Sequence, residues 1–167
     1  MTTTLEFLQA VLPCGEYKYC MSSIGKGIPW SDKVCDSIDA LLNYPTNQSR
    51  DVYFALSGFE QGYHINDKNK RVFRTQANAV AQKSLWLDID TDATQGMRNL
   101  SNFLQSTHLP VPWIVSSGHG LHLYWPLKEN IPTGQWRAYA VKLKTLCVQN
   151  EFIADHRRTT DPASVLR

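Results

Sequence analysis

The spacing of apolar positions divides the chain into alternating helical and extended segments. Leu5, Leu8, Val11 and Leu12 recur at helical intervals over residues 4–12, and Pro13 with Gly15 ends the pattern. Residues 17–23 read as a short strand. Ser31 is placed to cap a helix whose inner face is Val34, Ile38, Leu41 and Leu42, closing before Pro45. Residues 51–56 form a second strand rich in β-forming side chains. Residues 58–83 are polar and read as a surface loop with some local structure. The strongest strand is 84–90, carrying Leu85, Trp86, Leu87 and Ile89. Thr91 or Asp92 caps a helix with Met97, Leu100 and Leu104 as its apolar positions. Residues 112–116 and 121–125 flank Gly118 and Gly120 and read as a hairpin. Pro132 and Thr133 open a long amphipathic helix with Trp136, Tyr139, Leu143 and Leu146 on one face. Helices and strands alternate, yet one strand pair is a hairpin, which predicts an α+β or mixed α/β sheet.

Composition narrows the class. With 43% apolar and 19% charged residues, 167 residues fold as one globular unit with a core that needs no staples. No apolar run reaches the roughly 20 residues of a membrane span. The first residues carry no basic region or small-residue cleavage site, so the expected location is cytoplasmic and no membrane partner is expected. Cys14, Cys20, Cys35 and Cys147 are irregularly spaced. That favours reduced thiols over disulfides or a zinc site. A net charge of +2 is too small to announce a nucleic-acid partner by itself. The 58–83 stretch is locally electropositive, with Lys68, Lys70, Arg71, Arg74 and Lys83 against few acids.

Three constellations carry chemistry. In the 84–90 strand, Asp88 and Asp90 project from one face while Leu87 and Ile89 fill the other. Paired carboxylates repel unless a cation sits between them, and oxygen-only ligands favour Mg²⁺ or Mn²⁺ over Zn²⁺. The plainer reading is a strand end running into a polar turn. The second is the run from Ser116 to Trp125. Its glycines let backbone N–H groups approach an anion, and His122 can donate to a phosphate or transfer a proton. Ser116, Gly118, Gly120 and His122 share parity, which puts them on one face of a regular pair. The plainer reading is an ordinary glycine hairpin. The third is the tail, where Asp155 or Asp161 can complete a metal site and Arg157, Arg158 and Arg167 can bind phosphate. Together these are the parts of a nucleotidyl transferase.

The Asp-x-Asp strand, the Ser-Gly-x-Gly-x-His hairpin and the later hydrophobic-Asp resemble motifs I, II and III of the archaeo-eukaryotic primase superfamily. The nearest branch is the primase-polymerases of phages, plasmids and other mobile elements. Asp51 to Phe59 and the arginine-bearing loop before the first motif also resemble that branch. The resemblance implies an RRM-like catalytic sheet with flanking helices and a small N-terminal α/β unit, divided as residues 1–83 and 84–167. It implies template-directed synthesis from NTPs or dNTPs with Mg²⁺ or Mn²⁺ on a single-stranded DNA template. Matched onto this sequence, Asp88 and Asp90 would hold metal, with Asp155 as third ligand and Asp161 as its alternative. His122 would contact the triphosphate, with Ser117, Gly118, His119 and Gly120 completing the turn and Arg74 a further nucleotide contact. In that branch the tail Asp161 to Arg167 runs on into further sequence, so the chain is expected to be the N-terminal part of a longer protein. A C-terminal helicase domain or a separate helicase partner is expected from family organisation alone.

Two other readings stand beside this one. A rolling-circle replication nuclease needs a His-hydrophobe-His pair and a tyrosine nucleophile on a helix. The chain offers His119-Gly120-Leu121-His122, and Tyr139 on the helix's apolar face. A non-catalytic single-stranded nucleic-acid module needs exposed sheet aromatics, for which Trp86 and Tyr124 are the candidates.

Overall fold

The computed structural model describes residues 3–45, 49–118 and 120–167. Its centre is a four-stranded antiparallel sheet in the order β4-β7-β9-β8. The strands are β4 (Ser57–Phe59), β7 (Ala79–Ile89), β8 (Trp113–Ser116) and β9 (Leu121–Pro132). Helix α3 (Ala93–Thr107) connects β7 to β8, and α4 (Thr133–Gln149) follows β9. The run β7-α3-β8-β9-α4 is the split βαββα arrangement of an RRM-like sheet. The strand beside β7 comes from earlier in the sequence, where such sheets normally take their last strand.

A second antiparallel sheet has the order β10-β3-β1-β2. Its strands are β1 (Tyr19–Gly25), β2 (Ile28–Cys35), β3 (Arg50–Ala55) and β10 (Val165–Leu166). Helices α1 (Thr4–Val11) and α2 (Ile38–Leu42), the small hairpin β5 (His64–Ile65) and β6 (Arg71–Val72), and α5 (His156–Thr160) complete the described elements. The architecture is α+β, as the alternation of periods predicts. β7 runs unbroken through residues 83 and 84, and β10 pairs with β3, so chain from either side of that position enters each sheet.

Local chemistry explains the elements. Thr3 caps α1 in a full capping box with Glu6. Asp92 caps α3, accepting from the N–H groups of Thr94 and Gln95. Leu87 and Ile89 point into a core made with Leu100, Phe103, Leu121, Leu123, Leu143 and Phe152, so α3 and α4 cover that face. Phe103 and Phe152 stack there at 4.4 Å. Trp86 and Tyr124 point the other way, into a core shared with Leu8, Val11 and Tyr19. Trp86 stacks on Trp136 at 4.6 Å.

The structure corrects several expectations. The helix expected from Ser31 is mostly strand β2, and only Ile38–Leu42 is helical, capped by Ser37. Val34 satisfies both periods, since it also follows Ile28, Trp30 and Asp32 at the two-residue spacing of one strand face. Gly27, at φ +71, decides the outcome by turning the chain back onto β1. The polar 58–83 stretch holds β4, β5, β6 and the start of β7. Its strand signal is weak because Ala79, Ala81 and Gln82 are poor β-formers, yet all three are buried. Met97 and Tyr139 are 44% and 43% exposed, and Phe103 and Ala140 occupy the buried stripes instead. Cys20, Cys35 and Cys147 are buried free thiols and Cys14 is exposed, as the irregular spacing implies.

Candidate metal and nucleotide site

The site grows from one register. In the β7–β9 pair Asp88 lies directly opposite His122, so both side chains leave the sheet on the same face. Both are buried, and His122 Nε2 is 3.4 Å from Asp88 Oδ1. His122 Nδ1 faces the carbonyl of Arg167 at 3.2 Å, with the Tyr124 hydroxyl at 3.4 Å. Burial, and secondarily the Asp88 charge, push the Tyr124 hydroxyl far above its ordinary range, so it stays a neutral partner. Asp90 is exposed just beyond the end of β7.

The third acid arrives from the tail. The Asp155 N–H donates to the Asp88 carbonyl at 2.8 Å, which lays the segment before α5 along β7. The Asp155 side chain caps α5, accepting from the N–H groups of Arg157 and Arg158. One carboxylate oxygen from each of Asp88, Asp90 and Asp155 lies within 4.8 Å of the others. That all-oxygen set suits a hard divalent cation such as Mg²⁺ or Mn²⁺. Arg158 presently bridges the acids: its Nε is 3.1 Å from Asp88 Oδ2 and 3.2 Å from Asp155 Oδ2, and a terminal nitrogen donates to the Val165 carbonyl at 2.9 Å. Asp161 stands apart. Its Oδ1 accepts from the Ala163 N–H and shapes the turn before β10.

The hairpin between β8 and β9 closes one end. The Ser117 N–H donates to the Gly120 carbonyl at 3.0 Å, and Gly118 takes φ +87. Gly120 meets the end of β7 so closely that a Cβ there would sit 1.9 Å from the Ile89 carbonyl oxygen. Only glycine lets the turn press against the backbone beside Asp90. His119 lies outside the described residues. The shared face expected for Ser116 and His122 does not form, because the loop between the strands holds four residues. Ser116 therefore opposes Leu121, and Val115 opposes His122.

Arg74 pairs with Asp32 at 3.2 Å and donates to the Ala163 carbonyl. It lines a cleft of about 440 Å³ with Trp30, Tyr53, Arg158, Asp161 and Ser164, so the cleft shares Arg158 with the acids. Sequence reasoning left Arg158 undistinguished among the tail arginines, and its position in the first turn after the capping Asp155 was the signal available. Trp86 and Tyr124 are fully buried, which removes the aromatics that a base-stacking use of this sheet would need. Tyr139, expected on the apolar face of its helix, is instead partly open to solvent.

The chain thus combines an RRM-like sheet, a second antiparallel sheet beside it and an acidic cluster at the end of β7. Among solved structures, the AEP domain of the cyanophage S-2L primase-polymerase has this fold, with a TM-score of 0.60 over 92% of this chain and 73% of that one, at 13% identity. No family model matches the chain, and no curated protein matches it significantly. No described helix is long and apolar enough to cross a membrane.

Proposed function

We propose that this chain is a primase-polymerase domain that transfers nucleotides from NTPs or dNTPs onto a growing strand, directed by a single-stranded DNA template in the replication of a mobile element. The observation that carries the reading is the convergence of Asp88, Asp90 and Asp155 within 4.8 Å, beside a buried histidine. Carboxylates from a strand interior, a strand end and a helix cap are brought together where mutual repulsion opposes it. Arg158 relieves part of that repulsion between Asp88 and Asp155, and a cation shared with Asp90 would relieve the rest.

Asp88, Asp90 and Asp155 would hold Mg²⁺ or Mn²⁺, which supplies an activated 3′-oxygen and charge neutralisation on the departing pyrophosphate. His122, held by the Arg167 carbonyl, is aimed at the acids and would orient a phosphate oxygen of the nucleotide. Ser117, Gly118, His119 and Gly120 would offer the hairpin's donors to the triphosphate. Arg74 faces the adjoining cleft and would bind the nucleotide from that side.

The test is calorimetric titration with dGTP and with ATP, with and without Mn²⁺, on the wild type and on Asp88→Asn/Asp90→Asn. Nucleotide binding that requires Mn²⁺ and is lost in the variant supports the reading. Metal-dependent binding that persists in a folded variant overturns it.

A further inference from the structure

Apart from Arg74, the cations of the 58–83 stretch have no part in the site described above, yet the fold places Arg71 and Arg74 against partly exposed rings. Arg71 sits over the Tyr63 ring, its guanidinium carbon 4.2 Å from the centroid. The Tyr63 hydroxyl donates to the Asp32 carbonyl, and the Asp32 carboxylate holds both Arg74 and the Trp30 indole N–H. Arg74 lies 5.7 Å from the Trp30 ring, and Trp30 packs against Tyr53 at 5.2 Å. Tyr53 lines the cleft that Arg158 closes at the acids. Arg71 and Tyr63 are thus joined through Asp32 to Arg74 and Trp30, and Trp30 and Tyr53 line the same cleft as Arg158 beside the acids.

Two features of this strip ask for a ligand. Trp30 and Tyr63 keep 40% and 42% of their surface exposed, although each is fixed by a hydrogen bond from its polar atom. Rigid, exposed rings are costly to leave in water and suited to stacking. The hairpin turn beside them adds Lys68 and Lys70, both exposed, against the single acid Asp67. Rings alternating with guanidinium groups, flanked by free cations, match single-stranded nucleic acid, whose bases stack on aromatic or arginine planes while its phosphates follow the cations. A protein partner would not need this alternation.

We infer that the strip from the β5–β6 hairpin through Tyr63 and Trp30 is a track for single-stranded nucleic acid, leading the template toward the acidic site. The inference rests on the polymerase reading for the strand's destination. The binding itself needs no metal.

The experiment is fluorescence anisotropy of a labelled oligothymidylate of about 12 nucleotides, within the usual site sizes of single-strand binders. It is run on the full chain in EDTA across a salt series. Trp30→Ala and Tyr63→Ala should each weaken binding about tenfold, while Trp30→Phe should restore most of it. Lys68→Ala/Lys70→Ala/Arg71→Ala should lower the steepness of the log–log salt dependence by about 2. Thymidine monophosphate serves as competitor, and its failure to displace the strand at equal nucleotide concentration identifies a strand track and not a mononucleotide pocket. Wild-type affinity in Tyr63→Ala and an unchanged salt slope in the triple variant overturn the inference, even if Trp30→Ala fails to fold. The Asp88→Asn/Asp90→Asn variant reports on the acidic site alone, through its Mn²⁺-dependent nucleotide binding. A track that fails while that variant loses Mn²⁺-dependent nucleotide binding leaves the polymerase reading standing, and the reverse pattern leaves the track.

Discussion

Arg158 occupies the place where a cation would be held, and its removal has a calculable consequence. Its Nε contacts Asp88 Oδ2 at 3.1 Å and Asp155 Oδ2 at 3.2 Å. The Asp88 side chain is only 6% exposed, so that contact is of the buried kind and contributes about 2 kcal/mol. Asp155 is 31% exposed and the arginine 40%, so solvent screening reduces the second contact to about 0.5 kcal/mol. Truncation also admits water to Asp88 and leaves it beside His122, which offsets part of the loss. A net destabilisation of about 2 kcal/mol is expected for Arg158→Ala, a fall of about 4–8 °C in Tm for a domain of this size. The effect on metal runs the other way. In the wild type a cation must displace the guanidinium from the two carboxylates, and in the variant it need not. Recovering about 1.4 kcal/mol of that cost raises Mn²⁺ affinity about tenfold. Free Mn²⁺ measured by electron paramagnetic resonance gives the affinity directly. Thermal scans with and without Mn²⁺ give the stability, and saturating metal should narrow the gap between variant and wild type. Equal or weaker Mn²⁺ binding by a folded Arg158→Ala protein would refute the claim that this guanidinium and a metal compete for the same oxygens.

Asp155→Asn should reduce Mn²⁺ affinity at least tenfold while Asp161→Asn leaves it within about twofold, because only Asp155 joins the acidic cluster; the same resonance titration decides between them. Gly120→Ala should destabilise by about 3 kcal/mol or more, since the added methyl meets the Ile89 carbonyl oxygen at 1.9 Å, whereas Gly134→Ala meets open space and should be neutral or stabilising; urea melts compare them. Iodoacetamide at pH 8 should modify Cys14 alone, as the other three thiols are buried; intact mass before and after unfolding counts the sites. Burial pushes the Cys20 and Cys147 thiols from 9 up to about 12, so their folded forms hold protons that the unfolded chain releases. Stability from these groups should be whole below pH 9 and fall as pH rises from 9 toward 12, and constant stability across that window in denaturant melts would contradict the assignment.

The parts of the fold that were legible in the sequence are those where one period dominates. Leu87 and Ile89 alternate with Asp88 and Asp90, and the structure puts the two sets on opposite faces as strand geometry requires. The β2 segment was misread because Val34 fits both a strand and a helix, and only a glycine turn elsewhere resolves it. Ser116 was misplaced for a different reason. Parity along a chain predicts the face only within one strand, and across a hairpin it depends on whether the loop length is odd or even. The acids at 88 and 90 were visible as a pair, and Asp155 was visible as a hydrophobic-Asp. That Asp155 and not Asp161 joins them depends on a backbone hydrogen bond between residues 67 positions apart, from the Asp155 N–H to the Asp88 carbonyl. No local pattern encodes such a contact.

The tail carries the remaining logic, and it explains why its charges looked uninformative one at a time. Residues 155–167 touch both sheets. Asp155 hydrogen-bonds β7, Arg158 reaches the Val165 carbonyl and the acids, β10 adds to β3, and Arg167 pairs with Asp51 while its carbonyl receives His122 Nδ1. The side chains of Asp155, Arg158, Asp161 and Arg167 therefore all help to position the tail. Arg158 bridges the carboxylates of Asp88 and Asp155, and the Arg167 carbonyl faces Nδ1 of His122. The core under Trp86 and Tyr124 covers most of the face that carries Asp88 and His122, and the tail brings the Asp155 cap of α5 beside the end of β7 and adds β10 to β3. The geometry of the acidic site thus depends on a segment anchored to the second sheet, through the pairing of Val165 with Ala55 and of Leu166 with Phe54. Loosening that pairing should disturb Asp155 and His122 together, because both are held by the same stretch of backbone.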